Sequence, residues 1–430
     1  MNVGFLPRVG GSFRALYELA RRLPPGSLEV LTSRHRNDGA FDRHQPLTIH
    51  RSWMLSLLDD EGVVVGARPI RQMGLVKWLI ALRAFTVLGM LLLLLRTLAA
   101  LCRRKYDFVI AGQAWVVGWP VWCASKLWHV RYGALVYGED VGQIVNGERR
   151  DLIAWLFLKS LEGAEWVVCN SGPTRLLAVA AGVDPGKLFV LCPGVDTALF
   201  QPRPSALKAD HGGDARIVLS VGRVVPQKNF DAVVRALPRV RRAVPGVRYW
   251  IRGDGPEKSR VTALARRLGV NDCLAFIEEC PYEQLPKIYN ACDLFVMPNR
   301  GVAESGEQEG FGMVFAEASA CSKPVIGGRS GGAIDAVLDG RSGLLVDPGD
   351  VGELADAMVR VLLDRELATR LGRCGRAYVE RAFSWDAYAL QIRRLIDSSV
   401  AGSRNGRYAP PPRSEIPPAA PERSSNQCPG

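Results

Sequence analysis

Three short segments carry residues whose types and spacing suit chemistry on a polar, anionic ligand. The first is Glu309-Gly310-Phe311-Gly312-Met313-Val314-Phe315-Ala316-Glu317, with two carboxylates eight positions apart around a pair of glycines. If residues 311–320 are helical, Glu309 stands in the loop before the helix and Glu317 two turns in. Glycines let the backbone approach a ligand closely, and the unbonded N–H groups of a helix start donate to hydroxyl or phosphate oxygens. A carboxylate further in accepts two hydrogen bonds from vicinal hydroxyls. The second segment, Gly222-Arg223-Val224-Val225-Pro226-Gln227-Lys228-Asn229-Phe230, lies between a strand-like run and a helical one. There Arg223 can fork onto two phosphate oxygens while Lys228 adds a point charge, which suits a diphosphate. The third is Gly10-Gly11, ahead of a helical run through Phe13, Leu16, Leu19 and Ala20. Each has a plainer reading when taken singly: solvated glutamates, loop cations, a common glycine turn.

The elements that must position these segments alternate between short apolar runs and helical stretches, the pattern of a parallel sheet with helices on its faces. Candidate strands in the first half are Val3 to Leu6, Leu28 to Leu31, Phe108 to Ala111, Gly133 to Val136 and Trp166 to Cys169. From Cys192 the text turns to Pro-Gly-Val-Asp, then Gln201-Pro202-Arg203-Pro204 and a polar stretch to Asp214, which reads as a linker. A second alternating unit follows, with runs at Arg216 to Gly222, Val247 to Arg252, Cys273 to Ile277, Asp293 to Met297, Pro324 to Gly327 and Gly343 to Val346. The expected division is an N-terminal Rossmann-like domain over 1–200, a linker over 201–214 and a second Rossmann-like domain over 215–383. Phe383-Ser384-Trp385 opens a last helix, 384–398, expected to pack back on the first domain, with Ser384 as its N-cap. The Pro-, Ser- and Arg-rich tail 400–430 cannot bury a core and reads as disordered.

A length of 430 residues suits two domains, and 48% apolar residues with 44 glycines describe a folded α/β protein. The formal charge of +12 admits nucleic acid, an anionic membrane or a phosphorylated substrate. Without interleaved aromatic and basic residues, zinc-finger spacing or a basic helix, nucleic acid is not an expected partner. Ten cysteines, scattered without paired spacing, read as reduced, mostly buried thiols. The first residues lack the charged start and apolar stretch of a secretory signal, so a cytoplasmic location is expected. The greasy run from Trp78 to Cys102 has only twelve uncharged residues between Arg83 and Arg96, too few for a membrane span. It reads either as a buried helix or as a patch lying on the inner face of the membrane, with Arg96, Arg103, Arg104 and Lys105 meeting anionic head groups.

The three loops follow strands of two Rossmann-like domains, where such sheets bind ligands, and are expected to face each other across an interdomain cleft. Together with Cys169-Asn170-Ser171, Pro193-Gly194-Val195-Asp196, Gly253-Asp254-Gly255-Pro256, Lys323-Pro324-Val325-Ile326 and Ser330-Gly331-Gly332, they resemble a family 4 glycosyltransferase of the GT-B fold from Met1 to about Ser398. That resemblance implies a retaining enzyme that needs no metal or other cofactor and takes its sugar from a nucleotide-diphosphate donor. The favoured donor is GDP-mannose, with a UDP-sugar as the other candidate. The implied acceptor is a glycan or lipid-linked molecule in polysaccharide or glycolipid assembly; the alternatives are a soluble enzyme making a small glycoside and a non-catalytic nucleotide-sugar-binding protein. The resemblance assigns Arg223 and Lys228 to the donor diphosphate and Glu317 to the ribose hydroxyls. It gives Glu309, with the backbone of Gly310, Phe311, Gly312 and Met313, the transferred sugar, and lets Gly10 and Gly11 approach the diphosphate or acceptor. Two departures stand out. Tyr137, in Val136-Tyr137-Gly138-Glu139-Asp140, occupies the place of a usual histidine and is left as a sugar or acceptor contact. Glu278 replaces a usual glycine in a loop that meets the nucleotide base.

Overall fold

Runs such as Ile217-Val218-Leu219 are apolar at every position, and strands of this kind must be covered on both faces. In the computed structural model, which describes residues 5–6, 10–34, 38–52, 94–102, 104–146, 152–210, 215–302 and 306–405, this is what happens. The chain divides into two compact units. One holds the described residues up to Cys169, Arg175–Leu191 and the last helix from Asp386; the other holds Asn170–Thr174 and Cys192–Trp385.

The second unit is built on six parallel strands, β7 (Arg216–Val221), β8 (Val247–Arg252), β9 (Leu274–Ile277), β10 (Leu294–Met297), β11 (Val325–Gly328) and β12 (Leu344–Val346). Their spatial order is β12-β11-β10-β7-β8-β9. Numbered within the unit, this is 3-2-1-4-5-6 read from the β9 edge, the order of a dinucleotide-binding sheet, with the reversal between β7 and β10. Side chains alternate strictly between two cores. Val218, Tyr249, Ile251 and Val296 face the helices Phe230–Ala243 and Val351–Leu363, while Ile217, Leu219, Trp250 and Phe295 face the helices Leu285–Ala291 and Met313–Ala320.

The first unit carries four parallel strands in chain order, β3 (Phe108–Ala111), β4 (Arg131–Val136), β5 (Val167–Cys169) and β6 (Leu188–Val190). A parallel pair of β1 (Glu29–Ser33) and β2 (Thr48–Ser52) stands beside it in the sequence. The helix opened by the glycine pair runs Gly11–Ala20, and Arg22 at its end donates to Asp386 at 2.6 Å, tying in the last helix.

Several expectations need correction. β2 and β6 were not among the expected strands, and Val3 to Leu6 falls mostly outside the described residues. The expected helix over 311–320 begins at Met313, because Gly312 takes a left-handed conformation and Phe311 turns into the core. The second unit already includes Cys192, and the stretch expected as linker holds the short helix Ala206–Asp210. The last helix continues to Asn405, beyond the 398 expected, so the start of the expected tail is helical and the rest lies outside the described residues. Of the greasy run, residues 94–102 are described and helical; no described helix is long and apolar enough to cross a membrane.

One contact fixes the loop after β7. Gly222 donates to the Arg252 carbonyl at 3.0 Å and Val224 to that of Asp254 at 2.8 Å, so the loop lies directly on Gly253-Asp254-Gly255. Gly253 sits at φ 148°, and a Cβ there would stand 2.0 Å from the Gly222 carbonyl oxygen. Gly253→Ala is therefore expected to lower the melting temperature by several degrees, as about 1–3 kcal/mol of backbone strain implies. An unchanged melt would mean that the two loops are free to separate.

Candidate active site

The reversal of strand order leaves a crevice outside the carboxyl ends of β7 and β10, since the chain leaves these neighbours in opposite directions. From β7 comes the loop with Arg223 and, in a single 3-10 turn Pro226–Lys228, Lys228. From β10 comes the loop with Glu309 and Gly310, ending at the N-terminus of the helix Met313–Ala320. The structure joins the two: the Lys228 ammonium forms an ion pair with Glu309 Oε2. Both side chains are largely enclosed, at 18% and 11% exposure. Charges so placed need a partner, and here each is the other's.

Gly312 takes φ 86°, and a side chain there would also run into the Phe315 ring at 2.6 Å, so glycine is the residue that fits this turn at the helix start. Phe311 is buried edge-on against Phe383, centroids 5.0 Å apart, so it anchors the loop and presents no ring to a ligand. Met313 is half-buried against the same core. Glu317 is 5% exposed, and its Oε2 accepts a hydrogen bond from Tyr289 at 2.7 Å. Burial, with the Glu317 charge next, pushes the Tyr289 hydroxyl well above the ordinary range, so it stays a donor to that carboxylate. Arg223 is exposed, and among the described residues its side chain makes no ion pair or hydrogen bond.

Sequence reasoning missed the residues that lock these loops. Asn229, left-handed at φ 55° and buried, donates through Nδ2 to the carbonyls of Pro298 and Pro348, both at 2.9 Å, linking the loops after β7, β10 and β12. Its one legible signal was its type, since Asn tolerates that conformation better than most residues. Asn299, fully buried, donates to the Ser330 carbonyl at 3.1 Å, and Gly332 donates to the Glu309 carbonyl at 2.7 Å. Ser330-Gly331-Gly332 thus supports Glu309 from behind.

The other expected residues lie in the first unit. Gly10 precedes the helix Gly11–Ala20 in extended backbone. Tyr137 follows β4, half-buried with its hydroxyl enclosed; burial first, then Tyr388 and Asp140, pushes that hydroxyl well above the usual phenol range. Asp140 holds this turn: its Oδ1 accepts from the backbone N–H of Tyr137, Gly138 and Val141 at 3.2, 3.0 and 3.0 Å. Burial raises the Asp140 carboxyl to about 7 against those three donors, with Glu139 adding to the rise. No group of three or more His, Cys, Asp or Glu among the described residues is arranged to hold a metal ion.

A six-stranded sheet of dinucleotide-binding order, with a cation and a carboxylate paired at its reversal point, defines a nucleotide-binding α/β protein. Comparison with known proteins sharpens this. The family model for Glycosyl transferases group 1 matches residues 207–378, and that for Glycosyltransferase Family 4 matches residues 9–199. The GDP-mannose-dependent alpha-(1-6)-phosphatidylinositol monomannoside mannosyltransferase of Mycolicibacterium smegmatis is 38% identical over 250 residues, 57% of this chain and 64% of its own length, just under two thirds. D-inositol 3-phosphate glycosyltransferase 2 of Catenulispora acidiphila is 30% identical over 330 residues, 70% of this chain and 73% of its own. Among solved structures, Anabaena Alr3699/HepE in complex with UDP and glucose shares the fold at a TM-score of 0.71 and 18% identity, over 92% of this chain and 98% of that one. The chain belongs to glycosyltransferase family 4, with the GT-B fold of two Rossmann-like units.

The Asp140 carboxyl makes a prediction about pH. Its folded value of about 7 stands above the ordinary carboxyl value of 3.8, so between them the folded state holds more protons than the unfolded one. The stabilisation is full below about 4 and is lost as the pH rises through about 7. Asp140→Asn should remove this slope, so that wild type loses about 2–3 kcal/mol relative to the variant between pH 5 and pH 8. Parallel stability curves for the two proteins would show that Asp140 does not titrate in this range.

Proposed function

We propose that the chain transfers a hexosyl group, mannose favoured, from a nucleotide-diphosphate sugar to a lipid-linked or glycan acceptor with retention of configuration. The observation that carries this is the Lys228–Glu309 pair at the reversal point, in front of a helix N-terminus. In this reading the diphosphate lies on the loop after β7. Lys228, with Arg223 swinging in from solvent, meets the negative charge that grows on the diphosphate as the glycosidic bond breaks. Glu309 supports the positive charge developing on the sugar, and the N–H groups at the start of the helix Met313–Ala320 donate to its hydroxyls. Glu317, held by Tyr289, takes the ribose. The cations meet the charge of the leaving group, so the reading calls for no metal. Tyr137 keeps its proton and is a contact rather than a base.

GDP-mannose is the proposed donor because the relative from M. smegmatis is described as GDP-mannose-dependent. A second reading, transfer to a small soluble acceptor, is supported by the relatives described as D-inositol 3-phosphate glycosyltransferases. Location at the inner face of the membrane belongs to the first reading.

Lys228→Ala and Glu309→Ala are each expected to lower turnover by at least about a hundredfold, from lost stabilisation of charge in the transition state. Tyr137→Phe should cost less than either. Near-normal turnover in either purified alanine variant would sink the role given to that residue, and a Tyr137→Phe loss as large as theirs would bring its hydroxyl into the chemistry.

Donor identity is read by thermal unfolding with GDP, UDP and ADP and their sugar conjugates at matched concentrations. A shift selective for GDP and GDP-mannose is expected. A selective shift with UDP would replace the donor, and no shift with any would count against the diphosphate site itself.

A further inference from the structure

Helices between neighbouring parallel strands that advance in one direction lie on one face of their sheet, because each crossover is right-handed. Ala114–Trp128 and Leu152–Gly163 are two such helices, between β3 and β4 and between β4 and β5. The inner side of Leu152–Gly163 buries Ala154, Phe157, Ser160 and Leu161. Its opposite side, at positions i, i+3, i+7 and i+10, is Leu152, Trp155, Lys159 and Glu162. Leu152 is 69% and Trp155 50% exposed, in a unit that has a core of its own to place them in. Trp155 meets the edge of Trp122 at 6.4 Å, and the end of that helix adds Leu127 and Trp128, 63% and 41% exposed.

The charges beside this strip are unbalanced. Three lysines surround Glu162: Lys159, hydrogen-bonded to it at 2.6 Å, then Lys187 and Lys126, and together they hold its carboxyl below the usual range. Among the described residues, these three cations against one anion leave positive charge next to exposed leucine and tryptophan. A face made for a second protein chain would lose its lysines from the centre. Tryptophan, with an apolar body and a polar N–H, beside lysines is instead the composition of a face that sits among lipid head groups.

We propose that the outer face of the helix Leu152–Gly163, with the Lys126–Trp128 end of its neighbour, docks the enzyme onto an anionic lipid surface. This goes beyond the expected patch at Trp78 to Cys102, which lies largely outside the described residues. It accords with a lipid-linked acceptor, but it rests on side chains that take no part in donor binding.

The test is co-sedimentation of the full chain with vesicles of phosphatidylglycerol or of phosphatidylcholine, at low and high salt. Wild type should pellet with phosphatidylglycerol, far less with phosphatidylcholine, and less as salt rises. The double variant Leu152→Ser with Trp155→Ser should bind at least about tenfold more weakly. Lys126→Glu with Lys159→Glu should lose the preference for the anionic vesicle. The thermal shift given by the donor nucleotide should stay the same in all, which separates failure here from failure of the donor site. The proposal is overturned if wild type ignores both vesicles, if the double variant binds like wild type, or if it dissolves an oligomer of the chain while leaving vesicle binding intact.

Discussion

Two parallel strands that lie side by side but send their chains off in opposite directions cannot close the space above their carboxyl ends. In the second unit that pair is β7 and β10, and everything argued for the site follows from the gap between them. The loop after β7 ends in a lysine and the loop after β10 carries a glutamate, so the gap is lined by opposite charges that meet. Largely enclosed charges of this kind add little to stability, because what Coulomb attraction returns is largely spent on desolvation. Their arrangement is therefore better explained by a ligand than by folding. A cation already held where a diphosphate's charge would grow does not have to be gathered there during a reaction.

Holding such a pair in place takes more structure than the pair itself. The β7 loop lies on Gly253, the β10 loop leans on Gly332, and Asn229 and Asn299 bind the loops to one another through buried amide groups. Each of these contacts is made to backbone, so they fix where the chain runs rather than what a side chain prefers. The effect is selective. Lys228, Glu309 and Glu317 are all held by partners, whereas Arg223 stands in solvent. The site thus combines a rigid floor with one long cationic arm able to fold over a bound anion.

Much of this was legible in the sequence, and the limits have physical causes. Strands of the second unit are apolar at nearly every position, which marks them without a periodicity argument; β2, reading Thr-Ile-His-Arg-Ser, offers no such run, and β6, though apolar throughout as Leu188-Phe189-Val190, is only three residues long. Glu309, Lys228 and the glycines could be singled out by residue type and by their place between a strand and a helix. That Glu309 meets Lys228 could not, since it depends on the order of strands in space, and one sequence without partners does not fix that order. The supporting asparagines were invisible for the same reason: an amide that joins three loops looks, in one dimension, like any polar residue in a turn. Phe311 shows the reverse, where a side chain inside a motif whose backbone is expected to face the ligand is itself a device for packing.

In the proposed transfer the absence of an ionisable base at Tyr137 shifts the burden of proton removal. Burial keeps that hydroxyl protonated, and Asp140 is spent on the backbone of its own turn. The acceptor's proton then goes to an oxygen of the departing diphosphate on the same face of the sugar, which is also the geometry that retains configuration. This sets two demands against each other. The cations must draw negative charge onto the diphosphate for the bond to break, yet a diphosphate too well neutralised is a poor base. In that reading Glu309 beside Lys228 answers both, because its own charge offsets part of the cation's pull while it supports the positive charge developing on the sugar. An ion pair, rather than a lone lysine, is what a site needs when its leaving group must also accept the proton.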